Sequence, residues 1–194
     1  MAKGGIISAI HQGSLAEELE LVPGDKIISI NEQELTDIID LSFALADEEI
    51  EMLIEHENGE QEIIAFEKDI DEELGAEFES AVFGKIRQCA NNCYFCFVDQ
   101  VAPNMRDSLY IKDDDYRLSF LYGNFVTMTN MGPRDLERIH RLHLSPLYIS
   151  VHTTNPKLRG EMLRTKRGEL IMEQLAKLNE ADVEYHTQVV LCPG

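Results

Sequence analysis

Residues 88–97 read Gln-Cys-Ala-Asn-Asn-Cys-Tyr-Phe-Cys-Phe, and this stretch places Cys89, Cys93 and Cys96 on one short segment. The C-x3-C-x2-C spacing allows three soft thiolates to face a common centre. Because disulfides are rare in the cytosol, clustered thiols indicate a metal site first. A four-coordinate zinc ion would need a fourth ligand, whereas a cubane iron–sulfur cluster accepts three thiolates and leaves one iron open.

Two other interpretations of the cysteines stay open. Cys192 is the remaining cysteine, nearly a hundred residues farther on, and could complete a four-thiolate site. The three clustered cysteines could also pack as small apolar side chains, although a segment with three thiols and two asparagines is a poor core strand or helix.

Strand and helix patterns alternate on both sides of the cysteine loop. Strands are predicted at residues 82–86, 125–129, 147–151 and 185–191, and helices begin near residues 132 and 169. Such alternation is typical of parallel βα units. Four units do not close a barrel, and no helix follows to cover the last strand. We therefore expect a barrel that is truncated after its fourth strand, and a chain that is a fragment of a longer protein.

The segment before the loop predicts a separate, smaller domain. Residues 4–68 combine short β-branched strands with two helices, and Asn58-Gly59 is a hairpin signal. Residues 67–81 are acidic and poorly periodic, which predicts a linker. We predict domains at residues 1–72 and 80–194.

Composition narrows the class of protein. Residues 1–75 carry 21 acidic and 3 basic side chains, which accounts for nearly all of the net charge of −19. Such a surface repels nucleic acid, because phosphate binding depends on Lys and Arg. There is no apolar run near the roughly 20 residues of a membrane-spanning helix, and no signal-peptide pattern. A cytoplasmic protein is expected.

The cysteine loop, with aromatic Phe95 before the last cysteine, a preceding strand and βα units after it, resembles the radical S-adenosylmethionine (SAM) superfamily. The resemblance implies a partial (βα) barrel in which Cys89, Cys93 and Cys96 hold a [4Fe–4S] cluster. SAM would chelate the open iron, and one electron would cleave it to a 5′-deoxyadenosyl radical that abstracts hydrogen from an unknown substrate. An oxidoreductase of this kind implies a flavodoxin- or ferredoxin-like electron donor.

The same resemblance suggests residues that bind SAM. Phe95 would lie near the adenine. The family's Gly-Gly-Glu run has no counterpart here, and Thr129 and Asn130 stand in the corresponding stretch without a glutamate. Ser150 and His152 come at the end of the third strand, where parallel folds bind ligands, and are candidates to contact SAM or the substrate. Gln188 on the fourth strand is our candidate for a ribose hydroxyl contact.

Residues 5–10, 13–16 and 21–31 resemble a PDZ domain from its third strand onward. PDZ domains bind a peptide carboxylate with a glycine-containing loop that would lie upstream of Met1 here. Two roles of the PDZ-like domain therefore stay open. It could capture a peptide by strand addition, or it could be a docking or packing module, and a protein partner is expected at this domain. A PDZ-like segment ahead of this core resembles a bacterial family of iron–sulfur oxidoreductases whose reaction is unassigned.

Two functions from other classes compete with a radical SAM enzyme, whose fragment could also bind a cluster without turnover. One is a non-catalytic adaptor that binds zinc or a structural iron–sulfur cluster, and the other is an electron carrier.

A basic cluster after the third strand could bind carboxylate, phosphate or RNA, or could be solvated charge; it comprises Lys157, Arg159, Arg164, Lys166 and Arg167. No aromatic residues are interleaved with it, so single-strand nucleic-acid binding by stacking is poorly supported.

Overall fold

A computed structural model of the chain describes residues 4–192 and divides it into two compact units. The N-terminal unit is Met1–Lys85 and the C-terminal unit is Ile86–Gly194. The sequence Cys-Pro-Gly at 192–194 predicts a turn, which lies largely outside the described residues.

The N-terminal unit is an antiparallel sheet with two short helices. Its strands are β1 (Gly5–Ile10), β2 (Lys26–Ile30), β3 (Gln33–Glu34), β4 (Glu49–Glu55), β5 (Gln61–Glu67) and β6 (Ala76–Phe78). Its helices are α1 (Leu15–Glu18) and α2 (Ile38–Ala44). The strand order is β5-β4-β2-β1-β6, β3 pairs with β2, and every pairing is antiparallel. A small α+β domain is what the sequence predicts here.

Local sequence explains these elements. Ser14 caps α1, and the Asp37 carboxylate accepts the amides of Ile39 and Asp40 at the start of α2. Gly59 has a φ of 85° in the hairpin between β4 and β5. Alternate residues of the strands face one core, whose fully buried members include Ile7, Ile27, Ile30, Leu35, Met52 and Ile54.

The acidic stretch before the C-terminal unit differs from the predicted linker. Leu74 belongs to the core of the N-terminal unit, and β6 pairs with β1 on the edge opposite β2. The amide of His11 donates to the carbonyl of Gly75, which precedes β6. The turn at Gly75 and the strand β6 thus cover the edge of β1 that is not paired with β2. The hydrophobic pattern of the sequence did not indicate β6, because a strand of three residues is too short to show an alternation of apolar and polar side chains.

The C-terminal unit consists mainly of helices around a short parallel sheet. Its helices are α3 (Tyr116–Tyr122), α4 (Pro133–Arg141), α5 (Pro156–Leu163) and α6 (Ile171–Glu180), with 3-10 turns at Asp107–Tyr110 and Lys166–Leu170. Its strands are β7 (Leu147–Ser150) and β8 (Tyr185–Gln188), which pair in parallel. Asp115 caps α3, and Gly123 ends it in a left-handed conformation with a φ of 75°.

Two predicted strands of this region are wrong. Val82 makes only an isolated antiparallel bridge to Asp37 and belongs to the N-terminal unit, because Val82 and Phe83 are buried there. Over residues 125–129, Val126 alone pairs, through a parallel bridge to Ile149. Within the described part of the C-terminal unit, parallel pairing comprises this bridge and β7–β8. The truncated barrel therefore stays a prediction.

Among residues 4–192, there is no helix whose length and hydropathy would let it cross a bilayer.

A pair of glycine substitutions tests how β6 packs. Gly75 and Gly59 both have positive φ values, 70° and 85°, but a Cβ on Gly75 would overlap the Ser14 side chain, whereas Gly59 has nothing within 4 Å. Gly59→Ala is expected to cost about 1–2 kcal/mol of unfolding free energy from backbone strain alone. Gly75→Ala should cost about 1–3 kcal/mol more through overpacking. Urea denaturation followed by circular dichroism measures both, and equal losses would contradict the packing of residues 74–78 onto the unit.

Candidate functional site

The cysteine loop, residues 88–97, has almost no regular structure and is held by backbone contacts with other segments. The Cys89 amide donates to the carbonyl of Lys112 at 2.7 Å. The amides of Asn92 and Tyr94 each donate to a carbonyl in the last turn of α5 at 3.3 Å. An irregular segment must satisfy its polar backbone elsewhere, so these contacts fix where the thiols lie.

All three thiols of the loop line one cavity of about 280 Å³. Its volume is near the lower end of the roughly 300–1,000 Å³ found for small-molecule sites. Most of its wall is apolar, and the polar side chains are few. The described residues that line it are Cys89, Cys93, Phe95, Cys96, Phe97, Val98, Ile111, Lys112, Asp113, Phe125, Thr127, Ser150, His152, Gln188 and Val190.

The cavity lies at the carboxyl ends of parallel segments. Ser150 is the last residue of β7 and Gln188 the last of β8, and the two are paired in register. The Ser150 hydroxyl lies 3.4 Å from Oε1 of Gln188. Thr127 enters the same wall one residue after the bridge between Val126 and Ile149. This is the edge where open parallel sheets bind ligands.

Seven of the nine predicted site residues line this cavity, and Thr129 and Asn130 are not among its lining residues. Thr129 is buried and donates its hydroxyl to Oδ1 of Asn91 at 3.0 Å. Asn130 donates to the carbonyl of Asp114 at 2.9 Å, and its buried Oδ1 has no hydrogen-bond partner in the described part of the chain. Both residues therefore lie behind the cavity wall.

Asn91, Thr127 and Asp114 form a buried polar network that joins the cysteine loop to that wall. Asn91 donates to the Thr127 hydroxyl at 3.0 Å. The Asp114 carboxylate accepts both the amide and the hydroxyl of Thr127, at 2.5 and 2.7 Å. Burial raises the pKa of Asp114 above its usual range, against the effect of these hydrogen bonds. The network fixes Asn91, which lies between two of the cysteines.

Burial makes the thiols of Cys89 and Cys93 harder to ionise. It raises the pKa of Cys93 to about 11, with a further contribution from the neighbouring Cys89 and Cys96. Burial also raises the pKa of Cys89. Because metal ligands must be thiolates, loading this site with metal would release protons.

His152 is a strained, buried imidazole beside the loop. Its backbone φ is 63°, a left-handed conformation that is uncommon outside glycine. The Val190 amide donates to its Nδ1 at 3.3 Å, so the ring hydrogen of the neutral form lies on Nε2. Burial, helped by the charge of Arg159, lowers the pKa of His152 to about 4. The Phe95 ring packs edge-on against it with centroids 4.6 Å apart.

Sequence reasoning missed several lining residues, notably Lys112, Asp113 and Thr127. Lys112 pairs with Asp99 at 2.5 Å, and Asp113 accepts from Asn124 at 2.8 Å. The run Asp113-Asp114-Asp115 is a candidate helix start from its sequence, and its last residue does cap α3. The signal that could have found Lys112 and Asp113 is a run of polar residues immediately before the cap of α3. This run lies beside the cysteine loop because Gln88 and Asp113 form an antiparallel bridge.

The donor set fits an iron–sulfur cluster. In the described residues, no group of three or more His, Cys, Asp or Glu side chains is placed so that it could hold a metal ion. A cubane cluster instead binds each thiolate to a different iron, so its ligands need to surround a shared space. Three soft thiols around one cavity with a mostly apolar wall provide such a space.

Comparison with known families gives two matches. The family described as a radical SAM-like domain matches residues 68–194, about two thirds of the chain. The family described as a PDZ domain matches residues 6–56. A sequence search of curated proteins found no match.

Titration of His152 tests the burial of the cavity wall. With a pKa of about 4, its ring should stay neutral at pH 7 and at pH 5, whereas the unfolded chain protonates near pH 6.5. The stability that this neutral ring contributes is therefore present above about pH 6.5 and lost as pH falls towards 4. NMR of the ring protons should show one histidine that titrates near pH 4 and disappears in His152→Gln. A midpoint near 6.5 would contradict the buried geometry.

Proposed function

Because the chain belongs to the radical SAM-like domain family, we propose that its C-terminal unit is a radical SAM iron–sulfur oxidoreductase domain. Cys89, Cys93 and Cys96 would hold a [4Fe–4S] cluster, and SAM would bind beside it. The chemistry that the bound cofactors supply is one-electron cleavage of the SAM sulfonium bond. The observation that carries this proposal is that one cavity, at the carboxyl ends of parallel strands, is lined by all three thiols and by polar groups from both strands.

The residues of the chain would position SAM and exclude water. Ser150 and Gln188 offer hydroxyl and amide groups to the ligand at the strand ends. His152, neutral and with its ring hydrogen on Nε2, would donate a hydrogen bond rather than move a proton. Phe95 and the other apolar lining residues would shield the reacting atoms from solvent.

We propose that Thr129 and Asn130 support the site indirectly. Thr129 bonds to Asn91 of the cysteine loop, so it would hold the loop rather than contact SAM. Asn130 has a buried, unpartnered Oδ1 in the described part of the chain. A small shift of the wall on cofactor binding would provide that oxygen with a donor.

The N-terminal unit suits a protein-docking role. It matches a PDZ domain over residues 6–56, and β6 is an edge strand of its sheet. Strand addition to such an edge is a common mode of peptide recognition. We propose that a protein partner binds this unit, and that the electron for the C-terminal unit comes from a flavodoxin- or ferredoxin-like protein in the cytoplasm.

Anaerobic reconstitution with iron and sulfide tests cluster binding. The full chain should take up about four irons and four sulfides, as a [4Fe–4S] cluster requires. Cys93→Ser should lose most of this content because it removes one of three ligands. Cys192→Ser is the matched control and should retain it, since Cys192 is exposed and outside the lining residues. Equal loss in both variants would contradict a three-cysteine site.

Product analysis separates an enzyme from the other two candidates. After chemical reduction in the presence of SAM, a radical SAM enzyme should release 5′-deoxyadenosine, measured by chromatography. A cluster without 5′-deoxyadenosine would favour an electron carrier or a structural cluster. Stoichiometric zinc with no retained sulfide would favour a metal-binding adaptor and refute the proposal.

A further inference from the structure

Arg159 is a fully buried arginine within a cluster that the sequence suggested could be solvated charge. Its relative exposure is 0%, and it lies in α5 behind the cysteine loop. Arg and Lys are almost never fully buried unless paired. A guanidinium in such a place must have its donors satisfied, so its partners indicate what it is for.

Four of the five N–H groups of the guanidinium donate hydrogen bonds, and every acceptor is a backbone carbonyl. Nε donates to Val151 at 2.8 Å, and Nη1 donates to Gly168 at 2.9 Å. Nη2 donates to Thr127 at 2.8 Å and to Ser150 at 2.7 Å. Because carbonyls carry no net charge, these bonds satisfy the donors without neutralising the cation.

These partners are the segments that build the cavity. Thr127 and Ser150 line it, and Val151 leads from β7 to His152. The same helix provides the carbonyls that accept the amides of the cysteine loop. One side chain therefore joins the end of β7 and the segment after Val126 to the helix on which the loop rests.

The charge persists at neutral pH. Burial lowers the pKa of Arg159 to about 10, and interactions with Asp114 and Cys93 oppose this shift. Asp114 is buried and accepts the amide of Thr127, the residue whose carbonyl accepts from Arg159. The region behind the loop thus contains a protonated guanidinium whose hydrogen-bond acceptors are all backbone carbonyls, with the Asp114 carboxyl group nearby.

We propose that Arg159 is a positioning residue with two effects: it fixes the strand ends that form the cavity wall, and it provides a constant positive charge beneath the cysteine loop. The first effect is independent of any cofactor. The second rests on the proposed function. A nearby cation favours the more negative, reduced form of a cluster, so it raises the reduction potential.

Two substitutions separate charge from geometry. Arg159→Lys keeps the cation but loses the planar set of donors. Arg159→Gln keeps some hydrogen-bonding capacity and loses the cation. Lys157→Gln, an exposed position in the same helix, is the matched control.

Hydrogen exchange of the metal-free full chain tests the geometric effect. The amides of Val151 and His152 both donate to the carbonyl of Gln188, so they report alignment of the strand ends. Both Arg159 variants should exchange at these amides about tenfold faster or more, as expected from losing charge-assisted hydrogen bonds. Lys157→Gln should match the wild type. Unchanged exchange in the Arg159 variants would overturn the proposal, and Arg159→Lys decides this alone if Arg159→Gln does not fold.

The midpoint potential of the anaerobically reconstituted chain tests the charge effect. Arg159→Gln should have a more negative potential than the wild type, and Arg159→Lys should restore it most of the way. A merely structural role would lower cluster content in both variants without this ordering, and equal potentials would overturn the charge effect. If the wild type takes up no iron, the proposed function fails, and the exchange measurement still decides the geometric effect.

Discussion

Backbone hydrogen bonds hold the cysteine loop between two segments distant in sequence, and the candidate site depends on this constraint. The loop has no ladder of its own, so it takes acceptors from Lys112 on one side and from the last turn of α5 on the other. These contacts bring three thiols to one cavity wall. Without these contacts, few interactions would offset the conformational entropy that is lost when the ten irregular residues of the loop become ordered.

The surroundings of the loop combine low polarity with a few fixed dipoles. Burial disfavours the thiolates of Cys89 and Cys93 in the metal-free chain and keeps His152 neutral. The same burial strengthens any electrostatic interaction with a bound ligand. Arg159 contributes a charge that no side chain hydrogen-bonded to it offsets. A site of this kind suits a negatively charged inorganic cluster, because the protein provides the compensating field before the cluster arrives.

Much of this arrangement follows from sequence, because thiol spacing and strand ends are local patterns. The C-x3-C-x2-C spacing predicted the loop, the rule that ligands bind at the carboxyl ends of parallel strands predicted Ser150 and His152 as candidates, and the place of Gln188 on the fourth strand suggested a ribose contact. What failed depended on partners far away in the chain. Residues 82–86 look like a strand, but Val82 and Phe83 are buried in the N-terminal unit, and β6 is too short to show an alternating pattern. Arg159 looked like surface charge because its carbonyl partners carry no sequence signal.

The central claim is that three thiols around one cavity leave a corner of the cluster open to SAM. Electron paramagnetic resonance of the reduced, reconstituted chain, recorded before and after addition of SAM, tests it most directly. The account predicts a reduced-cluster signal whose g values change when SAM binds the open iron. A signal that is identical with and without saturating SAM would contradict the account, because it would mean that the cluster has no corner accessible to the ligand.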